Sequence, residues 1–352
     1  MDPTIFIFLS SGLFLGWSLG ANDAANVFGT AVGSRMVRFG TAALICSVCL
    51  ALGAVFGGAG ATHGLGKLGQ ISTLAGAFTV ALSAAATVMW MTRAGLPVST
   101  SQAIVGAIVG WNMFAQLNTD KAVLSKIAMT WIACPVLGAV FAMMLYQIIK
   151  GIIYLFKPHL LRQDQLTRYG LVLAGALGSY SLGANNIGNV MGVFVPSSPF
   201  TDLPMYGDWI LTSTQQLFLL GAIAIGVGVF TYSKKVMMTV GDNLMPLSPV
   251  AALVVVVAHS MVLFVFSSTW LQETMVSMGL FKIPLIPVSS SQAVIGAVIG
   301  IGMLKGIKGV RQIRWMVLLN IAGGWMMTPI AAAILCYVFL FVMQNVFNQV
   351  VM

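Results

Sequence analysis

Long apolar segments follow one another along the whole chain, with only short polar stretches between them. Most are close to the roughly 20 residues that an α-helix needs to cross a bilayer. They lie near 3–33, 40–61, 71–92, 97–113 and 125–156, and then near 169–195, 213–233, 249–269, 284–303 and 315–349. This pattern predicts an all-α polytopic membrane protein with about 10–12 membrane segments.

Two of these segments carry polar residues at matching positions. Residues 20–29 read GANDAANVFG, and residues 183–192, which lie 163 positions later, read GANNIGNVMG. A carboxylate or carboxamide inside an apolar segment costs several kcal/mol unless something binds it. A polar break that occurs twice is typical of a transporter whose site lies between two repeats.

Two further pairs of segments extend the duplication. Residues 97–107, PVSTSQAIVGA, match residues 287–297, PVSSSQAVIGA, and one late apolar segment in each half contains a Trp and a Pro four residues apart. The three pairs occur in the same order in both halves. We therefore predict a first repeat at 1–156, a linker at 157–168 and a second repeat at 169–352.

The number of segments also predicts how the repeats lie in the bilayer. Five segments separate each element from its copy, and because five is odd the copies run in opposite directions. With the N-terminus outside, 13 of the 17 Lys and Arg residues lie inside, as positively charged loops should. We predict two inverted-topology repeats with broken helices or re-entrant hairpins, a cytoplasmic linker and both termini outside the cytoplasmic membrane.

The composition agrees with this assignment. The chain is 59% hydrophobic and 7% charged, with a mean hydropathy of +0.96, so no soluble domain is expected. The net charge of +9 does not indicate a nucleic-acid partner, because no basic stripe with interleaved aromatic residues is present. We expect the lipid bilayer as the surroundings and no bound cofactor.

The polar residues of segments 20–29 and 183–192, which we call the two GAN motifs, predict a cation site. Asp23 is the only acidic residue well inside an apolar segment, and a bound cation is the cheapest partner for it. Neutral carbonyl oxygens around a carboxylate suit a hard cation such as Na⁺, and the motif glycines would permit unwound backbone. Alternatively, the amides only hold helices together. The predicted Na⁺ ligands are Asp23, Asn26, Asn186, Asn189, Ala21 and Ala184.

Residues 97–107 and 287–297, which we call the two PVS segments, predict an anion site. Pro97 and Pro287 end one helical run or begin the next, so the hydroxyls that follow lie where free N–H groups meet the positive end of a helix dipole. Alternatively, these serines only cap the helices. The predicted anion ligands are Ser99, Thr100, Ser101, Gln102, Ser289, Ser290, Ser291, Gln292, Asn22 and Asn185.

These two sites together indicate co-transport of an oxyanion with cations. No Arg lies deep in an apolar segment, so helix dipoles and co-bound cations must offset the negative charge. A membrane-embedded enzyme would need a nucleophile, base and metal set, and the sequence contains none that we can identify. A channel is a further alternative, but a midplane binding site suits alternating access better.

These motifs resemble those of the inorganic phosphate transporter (PiT) family. The resemblance rests on the GAN motifs, the two PVS segments, and residues 234–241, KKVMMTVG, followed by MPLSP at 245–249. It implies phosphate uptake driven by Na⁺ or H⁺, inverted repeats, a transport domain and a scaffold domain, and a homodimer. The large soluble loop of animal members is absent, as in a compact prokaryotic form.

Two departures from the family pattern bear on the coupling ion. Asn186 stands where many members have Asp, and Gln102 and Gln292 stand where proton-coupled members often have His. The absence of a titratable group there favours Na⁺. His259 lies alone in an apolar segment, and we predict that it is a core residue. The expected function is sodium-coupled phosphate import, with proton coupling or sulfate import as alternatives; Asp23 would repel fully ionised sulfate.

Overall fold

The computed structural model describes residues 4–94, 98–205, 210–234, 236–237, 245 and 247–352, and they are mostly helical. Seven helices in these ranges are long and apolar enough to cross a membrane. The prediction of an all-α, multi-pass membrane protein is therefore confirmed. Pro97 and most of the segment 234–246 lie outside the described residues.

The helices of the first half follow the predicted apolar segments closely. One short helix, α3, was not apparent from the apolar pattern. The bounds are α1 Thr4–Gly33, α2 Phe39–Gly57, α3 Ala59–Gly66, α4 Leu74–Arg93, α5 Thr100–Phe114 and α6 Lys121–Phe156.

The second half repeats this order, again with short helices that the apolar pattern did not indicate. A two-stranded antiparallel ribbon, β1 Leu203–Pro204 and β2 Ile210–Leu211, follows the first long helix and a 3₁₀ turn at Gly192–Phe194. The helices are α7 Leu160–Met191, α8 Ser213–Thr231, α9 Pro249–Ser267, α10 Thr269–Ser277, α11 Ser290–Leu304, α12 Gly306–Gln312 and α13 Trp315–Asn345.

The predicted linker 157–168 is largely helical. Helix α6 ends at Phe156, and the next residue, Lys157, has a left-handed conformation with φ 41°. Helix α7 already begins at Leu160. Only a three-residue connection therefore separates the two helices. The role of this stretch as the boundary between repeats stays a prediction.

The GAN motifs do not unwind the helices that contain them. Residues 20–29 lie within α1, and the second motif continues α7 as far as Met191. A continuous helix satisfies its own backbone groups, which an apolar environment demands. The glycines instead allow close packing: a Cβ atom at Gly20 would lie 1.9 Å from the carbonyl oxygen of Ile225 in α8. A Cβ atom at Gly183 would lie 2.0 Å from that of Leu50 in α2.

The two halves interlock through equivalent glycine contacts. A Cβ atom at Gly106 in α5 would lie 2.1 Å from the carbonyl oxygen of Pro329 in α13. A Cβ atom at Gly296 in α11 would lie 2.0 Å from that of Pro135 in α6. Both pairs obey the spacing of the sequence duplication, and each joins one half to the other. The two short helices with a serine N-cap, α5 and α11, are thus each held by the proline-containing helix of the opposite half.

The outermost helices, α6 and α13, present large apolar side chains to the surroundings. Ile132 is 70% exposed and Met326 is 73% exposed, whereas side chains such as Phe28 and Ile104 are fully buried. An apolar exterior around a core that contains the polar motifs is the arrangement of a protein in lipid.

Replacing Gly296 with Ala is predicted to destabilise the protein strongly. The new Cβ atom would meet only backbone atoms of Pro135 and cannot be accommodated by a side-chain rotation. Overpacking of this kind costs about 1–3 kcal/mol or more. The measurement is the thermal midpoint of unfolding in detergent micelles.

Gly151→Ala in α6 is the matched control, since a Cβ atom there has no heavy atom within 4 Å. Equal midpoints for the two variants would contradict the assignment of Gly296 to a tight contact between the halves.

Candidate functional site

The two PVS segments form equivalent helix starts, which we call tip 1 (residues 98–102) and tip 2 (residues 288–292). In tip 1 the Ser99 hydroxyl accepts a hydrogen bond from the Gln102 N–H at 3.3 Å and lies 2.8 Å from the Ser101 hydroxyl. In tip 2 the corresponding distances are 3.3 and 3.1 Å. Every residue of both tips is buried. Helix capping, the simpler role of Ser99 and Ser289, is therefore present.

Tip 1 contacts the buried carboxylate directly. The Thr100 hydroxyl donates a hydrogen bond of 2.5 Å to Asp23 Oδ2. The other carboxylate oxygen, Oδ1, has no hydrogen-bond partner among the described residues, although Asp23 is only 2% exposed. A buried carboxylate oxygen without a donor is costly, so this atom is the natural place for a cation or a proton-bearing ligand.

Tip 2 reaches the same part of α1. Ser290 Oγ lies 3.4 Å from the main-chain oxygen of Asp23 and accepts a 3.4 Å hydrogen bond from Asn26 Nδ2. The Ser291 hydroxyl donates to the main-chain oxygen of Val98 in tip 1, also at 3.4 Å. Both helix starts, each with the positive end of its dipole, therefore meet at the first GAN motif.

The first asparagine of each motif binds main-chain groups at or beside a tip. Asn22 Nδ2 donates to the main-chain oxygen of Val98 at 3.0 Å. Asn185 Nδ2 donates to the main-chain oxygens of Ile286 and Phe266 at 3.1 and 3.3 Å, and Asn185 Oδ1 accepts from the Val288 N–H at 2.8 Å.

These contacts give Asn185 a structural role that its sequence position did not indicate. Both hydrogens of its amide are used by main-chain carbonyls, so in this conformation it has no donor left for an anion. Its assignment as an anion ligand, like that of Asn22, stays a prediction.

The remaining amides of the second motif pair with each other. Asn189 Nδ2 donates to Asn186 Oδ1 at 2.8 Å, and neither forms a described hydrogen bond with Asp23. Four buried side-chain oxygens in the candidate site lack a hydrogen-bond donor among the described residues. They are Asp23 Oδ1, Asn189 Oδ1, Gln102 Oε1 and Gln292 Oε1.

These oxygens define what kind of cation the candidate site could take. The described residues contain no cluster of three His, Cys, Asp or Glu side chains, so a cation here would have one carboxylate and neutral oxygens as ligands. Hard cations prefer such a set. Ala21 and Ala184, also predicted as Na⁺ ligands, lie inside continuous helices, where their carbonyls are not released by unwinding.

One residue that the sequence placed in the core contacts the candidate site. His259 in α9 is fully buried, and its Nε2 atom lies 3.0 Å from Ser290 Oγ. The apolar pattern of α9 contains no signal for this contact, because the partner lies 31 residues further along the chain.

Comparison with known proteins gives one family over most of the chain. The model described as "Phosphate transporter family" matches residues 19–336. Two relatives share the name "Putative phosphate permease". The relative from Methanocaldococcus jannaschii is 27% identical over 339 residues, which cover 96% of this chain and 97% of that protein. The one from Pyrococcus furiosus is 26% identical, covering 92% and 94%.

A solved structure has the same fold. It is that of a sodium-dependent phosphate transporter, with a TM-score of 0.73 and 22% identity, covering 97% of this chain and 99% of that chain. At this identity the likeness establishes the fold alone.

Replacing Asn185 with Ala is predicted to destabilise the protein through the chain that leads into tip 2. Two carbonyls and one N–H group would lose their partner inside the core, and each such loss costs about 1–3 kcal/mol. The thermal midpoint of unfolding, measured without phosphate or Na⁺, reports this effect.

Asn345→Ala is the control, because Asn345 also donates to a main-chain carbonyl, that of Phe341 at 2.8 Å, but at an exposed position where water can replace it. A fall in the midpoint no larger for Asn185→Ala than for the control would show that the anchor contributes nothing.

Proposed function

The chain belongs to the phosphate transporter family, and on this premise we propose that it is a sodium-coupled symporter that imports inorganic phosphate across the cytoplasmic membrane by alternating access. The observation that carries the proposal is the meeting of both tips at Asp23. A buried carboxylate, one oxygen of which has no hydrogen-bond partner among the described residues, lies together with two helix N-termini. Such a site combines affinity for a cation with affinity for an anion.

The hydroxyls at the tips support phosphate as the anion. They offer donors from two directions, which suits a tetrahedral oxyanion, and the relatives described above carry the name "Putative phosphate permease". Asp23 also discriminates against sulfate. Phosphate near neutral pH still carries a proton that Asp23 Oδ1 can accept, whereas sulfate carries none and is repelled.

The oxygens without donors support Na⁺ as the coupling ion. One carboxylate and neutral side-chain oxygens offer the ligands that a hard cation prefers. No Lys or Arg occurs in the GAN motifs or the tips, so a bound cation must help to offset the charge of the anion. The solved structure with the same fold is a sodium-dependent transporter.

The position of the site between the two halves supports alternating access. Tip 1 and the first motif belong to one half and tip 2 to the other, so a relative movement of the halves would open the site to one side at a time. The homodimer and the inverted orientation of the repeats remain parts of this proposal.

Phosphate uptake into proteoliposomes is predicted to require Na⁺ and to increase with an inside-negative potential. If two Na⁺ accompany one H₂PO₄⁻, one net positive charge enters per cycle, and 100 mV contributes about 2.3 kcal/mol. A tenfold Na⁺ gradient adds about 1.4 kcal/mol per ion. The measurement is entry of radiolabelled phosphate with Na⁺, potassium-valinomycin and pH gradients imposed separately.

Proton coupling gives a different pattern in the same experiment. Uptake would then proceed without Na⁺, rise with an inward proton gradient and stop with a protonophore. Full activity in Na⁺-free vesicles would reject sodium coupling and leave Asp23 as a proton carrier.

Replacing Asp23 with Asn is predicted to abolish Na⁺-driven accumulation while the protein stays folded. The amide can still accept the hydrogen bond of Thr100, but it has no charge for the cation. Loss of a charged contact of about 1.5–3 kcal/mol raises the Na⁺ concentration for half-maximal uptake roughly 10–100-fold.

The control is Asp120→Asn, the same change at an exposed helix cap where Asn serves equally well. Normal Na⁺ dependence in the Asp23 variant would remove this residue from the proposed cation site.

A further inference from the structure

The two tips carry equivalent hydroxyls with different partners. Thr100 and Ser290 occupy the same position in the duplicated segments. Thr100 donates to the carboxylate of Asp23, but the residue equivalent to Asp23 in the second motif is Asn186, which pairs with Asn189 instead. The side-chain contacts of Ser290 come from Asn26 and from His259.

The surroundings of His259 indicate which ring nitrogen carries the hydrogen. Nε2 lies 3.0 Å from Ser290 Oγ, whereas Nδ1 has no hydrogen-bond partner among the described residues. A hydrogen on Nδ1 would leave a buried N–H group unpaired, and orphaned buried N–H donors are rarer than acceptors with an unused lone pair. A hydrogen on Nε2 leaves only a lone pair unused. His259 is therefore the donor, and Ser290 Oγ is the acceptor.

This assignment determines the direction of the Ser290 hydrogen. Its oxygen accepts from His259 and also from Asn26 Nδ2, and these two bonds use both lone pairs. The hydroxyl hydrogen must then point to a further acceptor. The acceptor that the described residues supply is the Asp23 main-chain oxygen at 3.4 Å, a long contact to a carbonyl inside a helix. An oxyanion is a stronger acceptor for this hydrogen.

Thr100 is arranged in the opposite way. Its hydrogen is committed to a carboxylate at 2.5 Å, a charge-assisted bond, and is not available to an anion. Tip 1 is thereby tied to the group that would take up the cation, while tip 2 has a hydroxyl that is ready to donate.

We propose that His259 is a positioning residue that orients the Ser290 hydroxyl as a donor to the transported oxyanion, while Thr100 serves the carboxylate. This inference rests on the proposed function, because it assigns unequal roles to the two tips of that same site. The second motif has the neutral Asn186 at the position of Asp23, and the tip 2 hydroxyl contacts the neutral imidazole of His259 in α9 instead of a carboxylate.

The test is equilibrium binding of radiolabelled phosphate to the purified full chain at saturating Na⁺. His259→Phe keeps a ring without a donor, His259→Gln supplies an N–H group, and Ser290→Ala removes the hydroxyl. We expect His259→Phe and Ser290→Ala each to weaken phosphate binding roughly 10-fold, the value of one hydrogen bond to a charged group. The double variant should bind phosphate no more weakly than either single variant, and His259→Gln should keep most of the phosphate affinity of the unsubstituted protein.

A second measurement separates orientation from general structural damage. Protection against thermal unfolding by Na⁺ alone, without phosphate, should be unchanged in His259→Phe and Ser290→Ala, whereas Thr100→Ala should shift it. If His259→Phe does not fold, the contrast between Ser290→Ala and Thr100→Ala in these two assays, together with His259→Gln, still decides the question.

Three results would overturn the inference. Phosphate affinity unchanged in His259→Phe, losses that add in the double variant, or equal effects of Ser290→Ala and Thr100→Ala on both ligands would each remove the role of His259. In these cases normal phosphate binding by the unsubstituted protein leaves the proposed function intact. No phosphate binding by the unsubstituted protein at saturating Na⁺ would overturn both.

Discussion

The carboxylate of Asp23, enclosed in an apolar interior, is the group on which the rest of the site depends. One of its oxygens is bound by Thr100, and the other has no donor among the described residues. A buried charge without a partner is costly, so this carboxylate would gain from a bound cation. A bound cation in turn offsets the negative charge of an anion at the tips. The proposed coupling of the two substrates would therefore need no arginine, and none occurs in the GAN motifs or the tips.

The position of the tips depends on close contacts between the two halves. Without a hydrophobic driving force between helices in lipid, association relies on packing of small residues. Gly106 of α5, packed against α13, and Gly296 of α11, packed against α6, allow backbone atoms to approach so closely that any side chain would collide. Pro135 inside α6 and Pro329 inside α13 form the other side of these contacts. Each tip helix is thus supported by a helix of the opposite half.

The duplication produces similar geometry but not equal chemistry. The first motif supplies Asp23, and the second supplies Asn186 in the same position, paired with Asn189. His259 contacts Ser290 where a carboxylate would otherwise be expected. A site with one charged half and one neutral half can assign the cation to one tip and the anion to the other.

The sequence by itself determined the long helices and the helices that begin at the tips. Apolar segments long enough to span a bilayer must be helical, because only a helix satisfies its own backbone there, and the ten predicted segments correspond to long or tip helices. The repeated motifs also pointed to Asp23 and both serine tips, which the structure brings together, while their roles as ligands stay predictions. The short helices α3, α10 and α12 and the helicity of the GAN motifs were not apparent, since glycine serves close packing as readily as unwinding. Only the tertiary structure decided that Asn185 binds main-chain groups and that His259 contacts Ser290. Those partners are distant in the chain, and their contact depends on how whole helices pack, which no local pattern records.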